Sequence, residues 1–377
     1  MKDKEQLNIA MLGHKRIPSR EGGVEIVVEE LSTRMAALGH SVTCYNRRGH
    51  HVSGKEFDSH IGNTYKDVKL KSVFTVNGKG LAAMSASVSA AVKAAFGKYD
   101  VVHFHAEGPC AMLWLPKLLG KKCIATIHGL DHRRAKWGRI ARSYIMLGER
   151  TAARLADEII VLSTGVQDYF REHYQRETTF IPNGVNKPTL LKAKQIKERY
   201  GLKEDGYILY LGRITKEKGL SYLVEAFKRI RTEKKLVIAG GSSDTADYMN
   251  ELKEMAGSDD RILFTGFVQG AILDELYSNA YIYVLPSDVE GMALSLLEAM
   301  SYGNCCLTSD IPECTEVTED KGLAFRTADT ADLADKLQML CDRPELVSQY
   351  KENAADFICS KYNWDDVVIR TLVLYGR

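Results

Sequence analysis

The stretch "LNIAMLGHKRIPSREGGVEIVVEELSTRMAALGHSVTCYN", residues 7–46, decides the fold. Its opening "LNIAML" is a short apolar run and reads as a buried strand. A polar loop follows. From Val24 onward the apolar positions Val27, Val28, Leu31, Met35 and Leu38 keep helical spacing. Gly39 supplies a left-handed helix stop, and "SVTCYN" is the next strand. Strand, loop, helix and strand in that order predict a parallel sheet with helices on both faces.

The alternation continues through the first half. Further strands are expected at "VKLKSVFTV", "YDVVHFH", "KKCIATIH", "EIIVLS" and "TTFIPN", with helices over 81–96 and 138–156. Open parallel sheets bind ligands beyond the carboxyl ends of their strands. His105, His128 and the loop after the first strand lie there. That loop carries Lys15, Arg16 and Arg20 and then Gly22 and Gly23. It fits neither a dinucleotide fingerprint nor a Walker loop. Gly22 and Gly23 at a helix start offer bare N–H groups to an anion. A turn needing glycine backbone angles accounts for them equally well, and the residues alone leave both readings open. His103 and His105 share one strand face, but no third ligand stands at metal spacing, so His103 reads as structural. His128 ends an apolar strand just before a glycine, where it can present its ring to a crevice.

A chain of 377 residues implies about two domains. Hydrophobic content of 45% with 27% charge is that of a soluble globular protein. No run approaches the roughly 18 apolar residues of a membrane span, and the N-terminus is too polar for a signal peptide. A cytoplasmic protein is expected. Eight cysteines without a C-x-x-C pair read as reduced, buried thiols. Residues 1–180 hold 27 Lys and Arg against 18 Asp and Glu, a net +9; residues 181–377 hold 24 against 31, a net −7. Halves so different imply different partners.

The basic excess concentrates in residues 117–142. Lys117, Lys121, Lys122, Arg133, Arg134, Lys136, Arg139 and Arg142 face one acid, Asp131, with Trp137, Ile140 and Tyr144 interleaved. Such a surface suits anionic lipid headgroups, at the inner face of the plasma membrane. A solvated helix face is the plainer alternative. No nucleic-acid motif accompanies it, and no nucleic-acid partner is expected.

"NGVNKP" (183–188) reads as a linker. A second alternation starts at "GYILYLG", followed by "RITKEKG" and the helix "LSYLVEAFKRI". Arg213 and Lys218 thus flank a strand-to-helix turn, a good place for a pyrophosphate. "KKLVIAGG", "RILFTGFV" and "AYIYVLPS" supply further strands. The last leads into "SDVEGMALSLLEAMSYGNCCLTSD" (287–310), where Glu290 precedes Gly291 in a loop that opens a helix. Glu298 follows eight positions on, among the apolar Leu294, Leu297 and Met300. A carboxylate in such a setting needs donors, and sugar hydroxyls are natural ones because an ionised carboxylate only accepts.

"EGMALSLLEAMSYG" resembles the E-x7-E motif of glycosyltransferase family 4, and "YLGRITKEKGLSYLVEAF" resembles its diphosphate-binding segment. "IPNGV" and "GFV" match in order, so the resemblance covers nearly the whole chain. It implies an α/β protein of GT-B fold, two Rossmann-like domains with parallel sheets facing a central cleft. The expected division is an acceptor-side domain over 1–183, a nucleotide-sugar domain over 184–358 and a helix over 359–377 crossing back. By the resemblance, Arg213 and Lys218 hold the donor diphosphate and Glu298 the ribose. Glu290, with the N–H groups of Gly291, Met292 and Ala293, grips the donor sugar. Backbone at Phe267 and Val268 meets the base, His128 stands beside the sugar, and Gly22 and Gly23 approach from the other side. Met292 replaces the usual Phe. The catalytic set is then His128, Glu290, Arg213 and Lys218. Lys15, Arg16, Arg20, His105, Arg133 and Arg134 are acceptor-side candidates.

The family retains anomeric configuration and needs no catalytic metal or cofactor; the donor is a UDP, dTDP or GDP sugar. The opening loop is also similar to the "IP…GG-E" start of a subgroup holding bacterial rhamnosyltransferases of polysaccharide assembly. That implies transfer to a glycan or polyprenyl-diphosphate-linked acceptor in surface polysaccharide synthesis. A GT-B sugar-nucleotide epimerase and a non-catalytic sugar-nucleotide-binding protein are the alternatives; the E-x7-E segment argues against the first and the intact charged residues against the second.

Overall fold

The computed structural model describes residues 6–49, 62–76, 78, 80–133, 138–241 and 246–376, with backbone only at Arg133 and Ala246. The chain forms two compact units: residues up to Asn183 together with Trp364–Arg377, and Gly184–Asn363.

The first unit is built on eight strands: β1 (Asn8–Leu12), β2 (Ser41–Arg47), β3 (Thr64–Tyr65), β4 (Val68–Val73), β5 (Val101–His105), β6 (Lys122–Ile127), β7 (Glu158–Val161) and β8 (Thr179–Phe180). They lie in the order β3-β4-β2-β1-β5-β6-β7-β8. All pair parallel except the β3–β4 hairpin. Ala10 and Leu12 of β1, Val102 and Phe104 of β5 and Ala125 and Ile127 of β6 share one buried cluster with Ala86, Ala90, Ala91 and Ala94. Those alanines belong to the helix Leu81–Ala95; their small side chains let its backbone lie close on the sheet. On the helix Gly23–Ala37, Val27, Val28, Leu31 and Met35 are buried as their spacing predicts. Leu38 instead caps that helix and is half exposed, and Gly39 follows at φ +94°.

The last helix, Trp364–Gly376, belongs to this unit. It buries Trp364, Val367, Val368 and Leu374, and Asp365 pairs with Arg34. The helix Ala354–Lys361 stays with the second unit, so the chain crosses between Asn363 and Trp364 rather than at residue 359.

The second unit carries β9 (Tyr207–Leu211), β10 (Lys235–Ala239), β11 (Ile262–Gly266), β12 (Ile282–Leu285), β13 (Cys305–Ser309) and β14 (Leu323–Phe325). The order is β11-β10-β9-β12-β13-β14, parallel throughout. In each sheet the direction of winding reverses beside its first strand, between β1 and β5 and between β9 and β12. Loops leaving the carboxyl ends of those strands diverge and leave a crevice. All eight cysteines are free, and six are buried. Burial pushes the Cys44 and Cys305 thiols up to about 12, which leaves them unreactive.

Candidate functional site

The second unit places Arg213, Lys218 and Glu290 on the two loops that flank its crevice. After β9, Gly212 N–H donates to Ala239 O and Ile214 N–H to Gly241 O, both at 3.0 Å. The Tyr210 hydroxyl donates to Arg213 O at 2.8 Å. These bonds fix the backbone at Arg213. Its side chain is half-buried, and among the described residues it enters no ion pair. Lys216–Lys218 form one tight turn, and Gly219, at φ +65°, opens the helix Leu220–Arg229. A Cβ on Gly219 would stand 1.9 Å from Pro286 O. Glycine there lets the loop after β9 touch the loop after β12 backbone to backbone.

That contact delivers Lys218 to Glu290. Asp288 N–H donates to Glu217 O at 2.9 Å, tying the loops a second time. Glu290 is buried, its Oε1 pairs with Lys218 Nζ, and it accepts from Ser287 Oγ at 2.6 Å. Ser309 Oγ on β13 donates to Ser287 O at 2.6 Å. Gly291, Met292 and Ala293 are buried and lead into the helix Leu294–Ser301, whose start no side chain caps. The positive end of that helix faces the same loop as the Glu290 carboxylate. Glu298, half-buried on this helix, accepts from the Tyr277 hydroxyl at 3.2 Å. Tyr277 is stacked on Tyr302 at 5.1 Å. Phe267 and Val268 follow β11; Val268 is buried, and Phe267 stands beside Gly241.

In the first unit the loop after β1 is held by Asn46 and Glu25. Asn46 Oδ1 accepts from Ile17 N–H at 3.2 Å and meets His14 Nε2 at 3.0 Å, and its Nδ2 donates to Ile17 O at 3.0 Å. Glu25 accepts from Lys15 N–H at 2.8 Å. Burial alone would raise the Glu25 carboxyl, but Lys15, its N–H and Arg47 hold it below its ordinary range. Gly22 is extended, at φ −164°, so the turn does not need left-handed angles. A Cβ there would stand 2.4 Å from Glu25 Oε2, so the glycine leaves room for that carboxylate beside the helix start. The Glu25 carboxylate stands beside the helix start that the sequence left open between an anion site and a glycine turn. Lys15 and Arg16 are half-buried and Arg20 is exposed.

Beneath that loop lies a column of histidines. His103 is fully buried, with Nδ1 2.6 Å from the Tyr375 hydroxyl and Nε2 2.7 Å from Thr126 Oγ1. Its ring stacks on His105 at 4.2 Å. His105 Nδ1 meets His128 Nε2 at 3.2 Å. His105 is fully buried, which corrects its expected place on the acceptor side: it supports His128 instead. His128 is half-buried at the end of the column. Burial lowers His14 to about 4 and His103 to about 3. Burial, with its histidine neighbours, takes His105 well below its ordinary value.

The basic segment divides. Lys117 pairs with Asp157 at 2.5 Å, whose other oxygen accepts from Cys123 N–H, so this lysine serves the fold. Arg139 and Arg142 are exposed beside Ile140, itself 85% exposed. Arg134, Lys136 and Trp137 lie outside the described residues, and Arg133 is described by its backbone alone.

Sequence reasoning missed Ser287, Ser309, Glu25, Asn46 and Tyr277. Each acts through a partner remote in sequence or a single local turn. Only Glu25, in the first turn after Gly22, had a readable signal, the preference of a helix start for an acid.

Known proteins share both halves of this architecture. Residues 21–187 match the family model described as "Glycosyltransferase Family 4", and residues 192–357 match "Glycosyl transferases group 1". The alpha-D-kanosaminyltransferase of Streptomyces kanamyceticus is 28% identical over 283 residues, 70% of this chain and 73% of that one. The sucrose-phosphate synthase of Thermosynechococcus elongatus superposes with a TM-score of 0.80 at 22% identity, covering 99% of this chain and 98% of that one. Anabaena HepE, solved with UDP-glucose, gives 0.79 at 15% identity, covering 99% and 100%.

The histidine column sets an acid limit. A histidine kept neutral by burial contributes stability that is complete above its unfolded value of about 6.5 and is lost as pH falls toward its folded value. His103, at about 3, therefore contributes a slope of up to about 1.4 kcal/mol per pH unit below about 6.5. Urea unfolding of the native chain and His103→Gln between pH 6.5 and 5 is expected to show a shallower decline in the variant. Equal slopes would place the titration elsewhere. The comparison also removes Glu107, whose raised carboxyl works in the opposite sense.

Proposed function

Because the chain belongs to glycosyltransferase family 4, we propose that it moves a sugar, with retention, from a nucleoside-diphosphate sugar to a glycan or polyprenyl-diphosphate-linked acceptor in bacterial surface polysaccharide synthesis. The observation that carries the reading is the ion pair of half-buried Lys218 with buried Glu290 at the crevice of the second sheet, with Arg213 on the same loop as Lys218. The donor is a UDP, dTDP or GDP sugar, and no cofactor or metal enters the transfer; the UDP-glucose complex of HepE supports a nucleoside-diphosphate donor.

In this reading the donor diphosphate draws on Arg213 and Lys218, and Glu290, relieved of Lys218, accepts hydrogen bonds from the sugar. The Gly291, Met292 and Ala293 N–H groups add donors. Glu298 takes the ribose hydroxyls, with Tyr277 fixing one of its oxygens, and the backbone at Phe267 and Val268 takes the base. The bond from the anomeric carbon to the phosphate oxygen breaks, and the acceptor oxygen bonds to the same face. The acceptor's proton passes to the leaving phosphate oxygen. Charge develops on that phosphate, where placed cations stabilise the transition state. His128 stands beside the sugar, its tautomer set by His105. Lys15, Arg16 and Arg20 serve the acceptor's phosphates, and Gly22 with Gly23 lets their loop stand over the Glu25 carboxylate.

Exposed apolar side chains support a membrane-borne acceptor. Leu81, Val88, Val92 and Phe96 form one stripe along the helix Leu81–Ala95 and its end, and Phe96 is 76% exposed. Trp114 and Leu118 stand exposed on the helix it touches, and Ile140 on the next. Arg139 and Arg142, exposed on the same helix as Ile140, add positive charge beside these apolar side chains, which suits an anionic bilayer surface.

Glu290→Ala and Lys218→Ala are each expected to lower kcat/KM by at least about 100-fold; near-normal turnover in both would remove the site assignment. Alanine at Lys15, Arg16 and Arg20 is expected to raise the acceptor KM more than the donor KM, and the reverse would give the loop to the donor. Phe96→Asp combined with Arg133→Glu and Arg134→Glu should abolish co-sedimentation with vesicles rich in phosphatidylglycerol. Undiminished sedimentation would remove the membrane face.

A further inference from the structure

A second group of polar side chains lies buried in the first unit, apart from the histidine column. Glu107 follows β5 by two residues, and Glu149 sits on the helix Arg139–Leu155. They meet because Gly148 has no side chain: a Cβ there would stand 1.9 Å from Glu107 O. The helix therefore lies directly on the backbone of Glu107 and brings the next residue, Glu149, beside it. His132, on the short turn after β6, completes the group.

Both carboxyl groups are wholly inaccessible to solvent. His132 Nδ1 is 2.9 Å from Glu149 Oε2 and 3.8 Å from Glu107 Oε1. The far oxygens are committed elsewhere. Glu107 Oε2 accepts from Asp131 N–H at 2.8 Å, and Glu149 Oε1 accepts from the Tyr169 and Tyr174 hydroxyls at 2.8 and 2.5 Å. Glu107 Oε1 is buried and points at His132 Nδ1, and the Glu107 carboxyl hydrogen-bonds to the facing Glu149 carboxyl. One atom from each of the three residues falls within 4.8 Å of the others.

Two buried carboxyl groups side by side cannot both ionise unaided, and burial with the neighbouring acids holds Glu107 well above its ordinary range, so it keeps a proton toward Glu149. A dication would displace that proton and neutralise both carboxylates at once. Metal–ligand bonds of about 2.0–2.2 Å set neighbouring ligand atoms about 3.0–3.5 Å apart, so the 2.9 and 3.8 Å separations need only small side-chain adjustments. The occupied far oxygens are those a second shell would hold, since ligating carboxylates are themselves hydrogen-bonded. One imidazole nitrogen with two carboxylate oxygens suits a borderline first-row ion better than Mg²⁺ or Ca²⁺.

We propose that Glu107, His132 and Glu149 form a binding site for one divalent transition ion of the Zn²⁺ type. Its role is to pin the turn Asp131–Arg133 to the helix Arg139–Leu155 and to the loop after β5. It binds at one end of the basic segment and takes no part in the transfer. It therefore stands or falls independently of the donor site.

The test is titration of the metal-stripped full chain with ZnCl₂ at pH 7.5, read by calorimetry and thermal melting. One equivalent is expected, with a rise in Tm, because an ion that binds only the folded chain stabilises it by mass action. Affinity should fall as pH is lowered, since all three ligands must be deprotonated. Glu107→Gln keeps the shape and the bond to Asp131 N–H, and it is expected to fold with an unchanged metal-free Tm. It should bind Zn²⁺ at least about 10-fold more weakly. His132→Gln is the second variant, and circular dichroism verifies that each is folded. No Zn²⁺ equivalent in the native chain would overturn the site and leave Glu107 and Glu149 as a pair sharing one proton. So would binding that is unchanged in both folded variants, which would place the ion elsewhere.

Discussion

A half-buried lysine and a buried glutamate at one sheet crevice depend on each other, because either charge alone would lose its counter-ion where little water reaches it. Lys218 and Glu290 meet this condition only because Gly219 lets two loops touch at Pro286 O. The loops are adjacent because β9 lies beside β12 in the strand order. Topology therefore fixes the pair, glycine permits it, and the Ser287 and Ser309 hydroxyls orient it. In the proposed reading, a donor phosphate takes the place of Glu290 as the counter-ion of Lys218, and the freed carboxylate accepts from the sugar attached to that phosphate.

The first unit solves a different problem at a crevice of its own. There the strand ends carry histidines, and burial keeps them neutral. A neutral histidine donates from one nitrogen and accepts at the other, so the His105–His128 hydrogen bond couples the tautomers of those two rings. His103 spends both its nitrogens on Tyr375 and Thr126 and meets His105 by stacking, so Tyr375, on the returning helix, holds the ring that His105 packs against.

The fold was legible wherever periodicity was strong. The strands at Asn8–Leu12 and Tyr207–Leu211 and the helix face at Val27, Val28, Leu31 and Met35 follow from spacing alone. Strand β14, at three residues, is too short to carry a pattern, and β13 reads "CCLTS", with polar residues that are buried all the same. At the site, the residue types and spacing of Arg213, Lys218, Glu290 and Glu298 were legible. Their supports were not. Ser309 reaches Ser287 across 22 positions and Tyr277 reaches Glu298 across 21, separations that only the tertiary fold closes. Glu107 and Glu149 are joined through a glycine whose role is invisible until the helix has docked.

The opening loop shows how far charge alone misleads. Three cations and two glycines at a helix start resemble an anion cradle, yet the cradle already holds Glu25. A phosphate seeking that helix end would meet a carboxylate that Lys15 N–H and Arg47 keep ionised. The first half thus sets a carboxylate of its own at that helix start, while the second half pairs a half-buried cation, Lys218, with the buried acid Glu290.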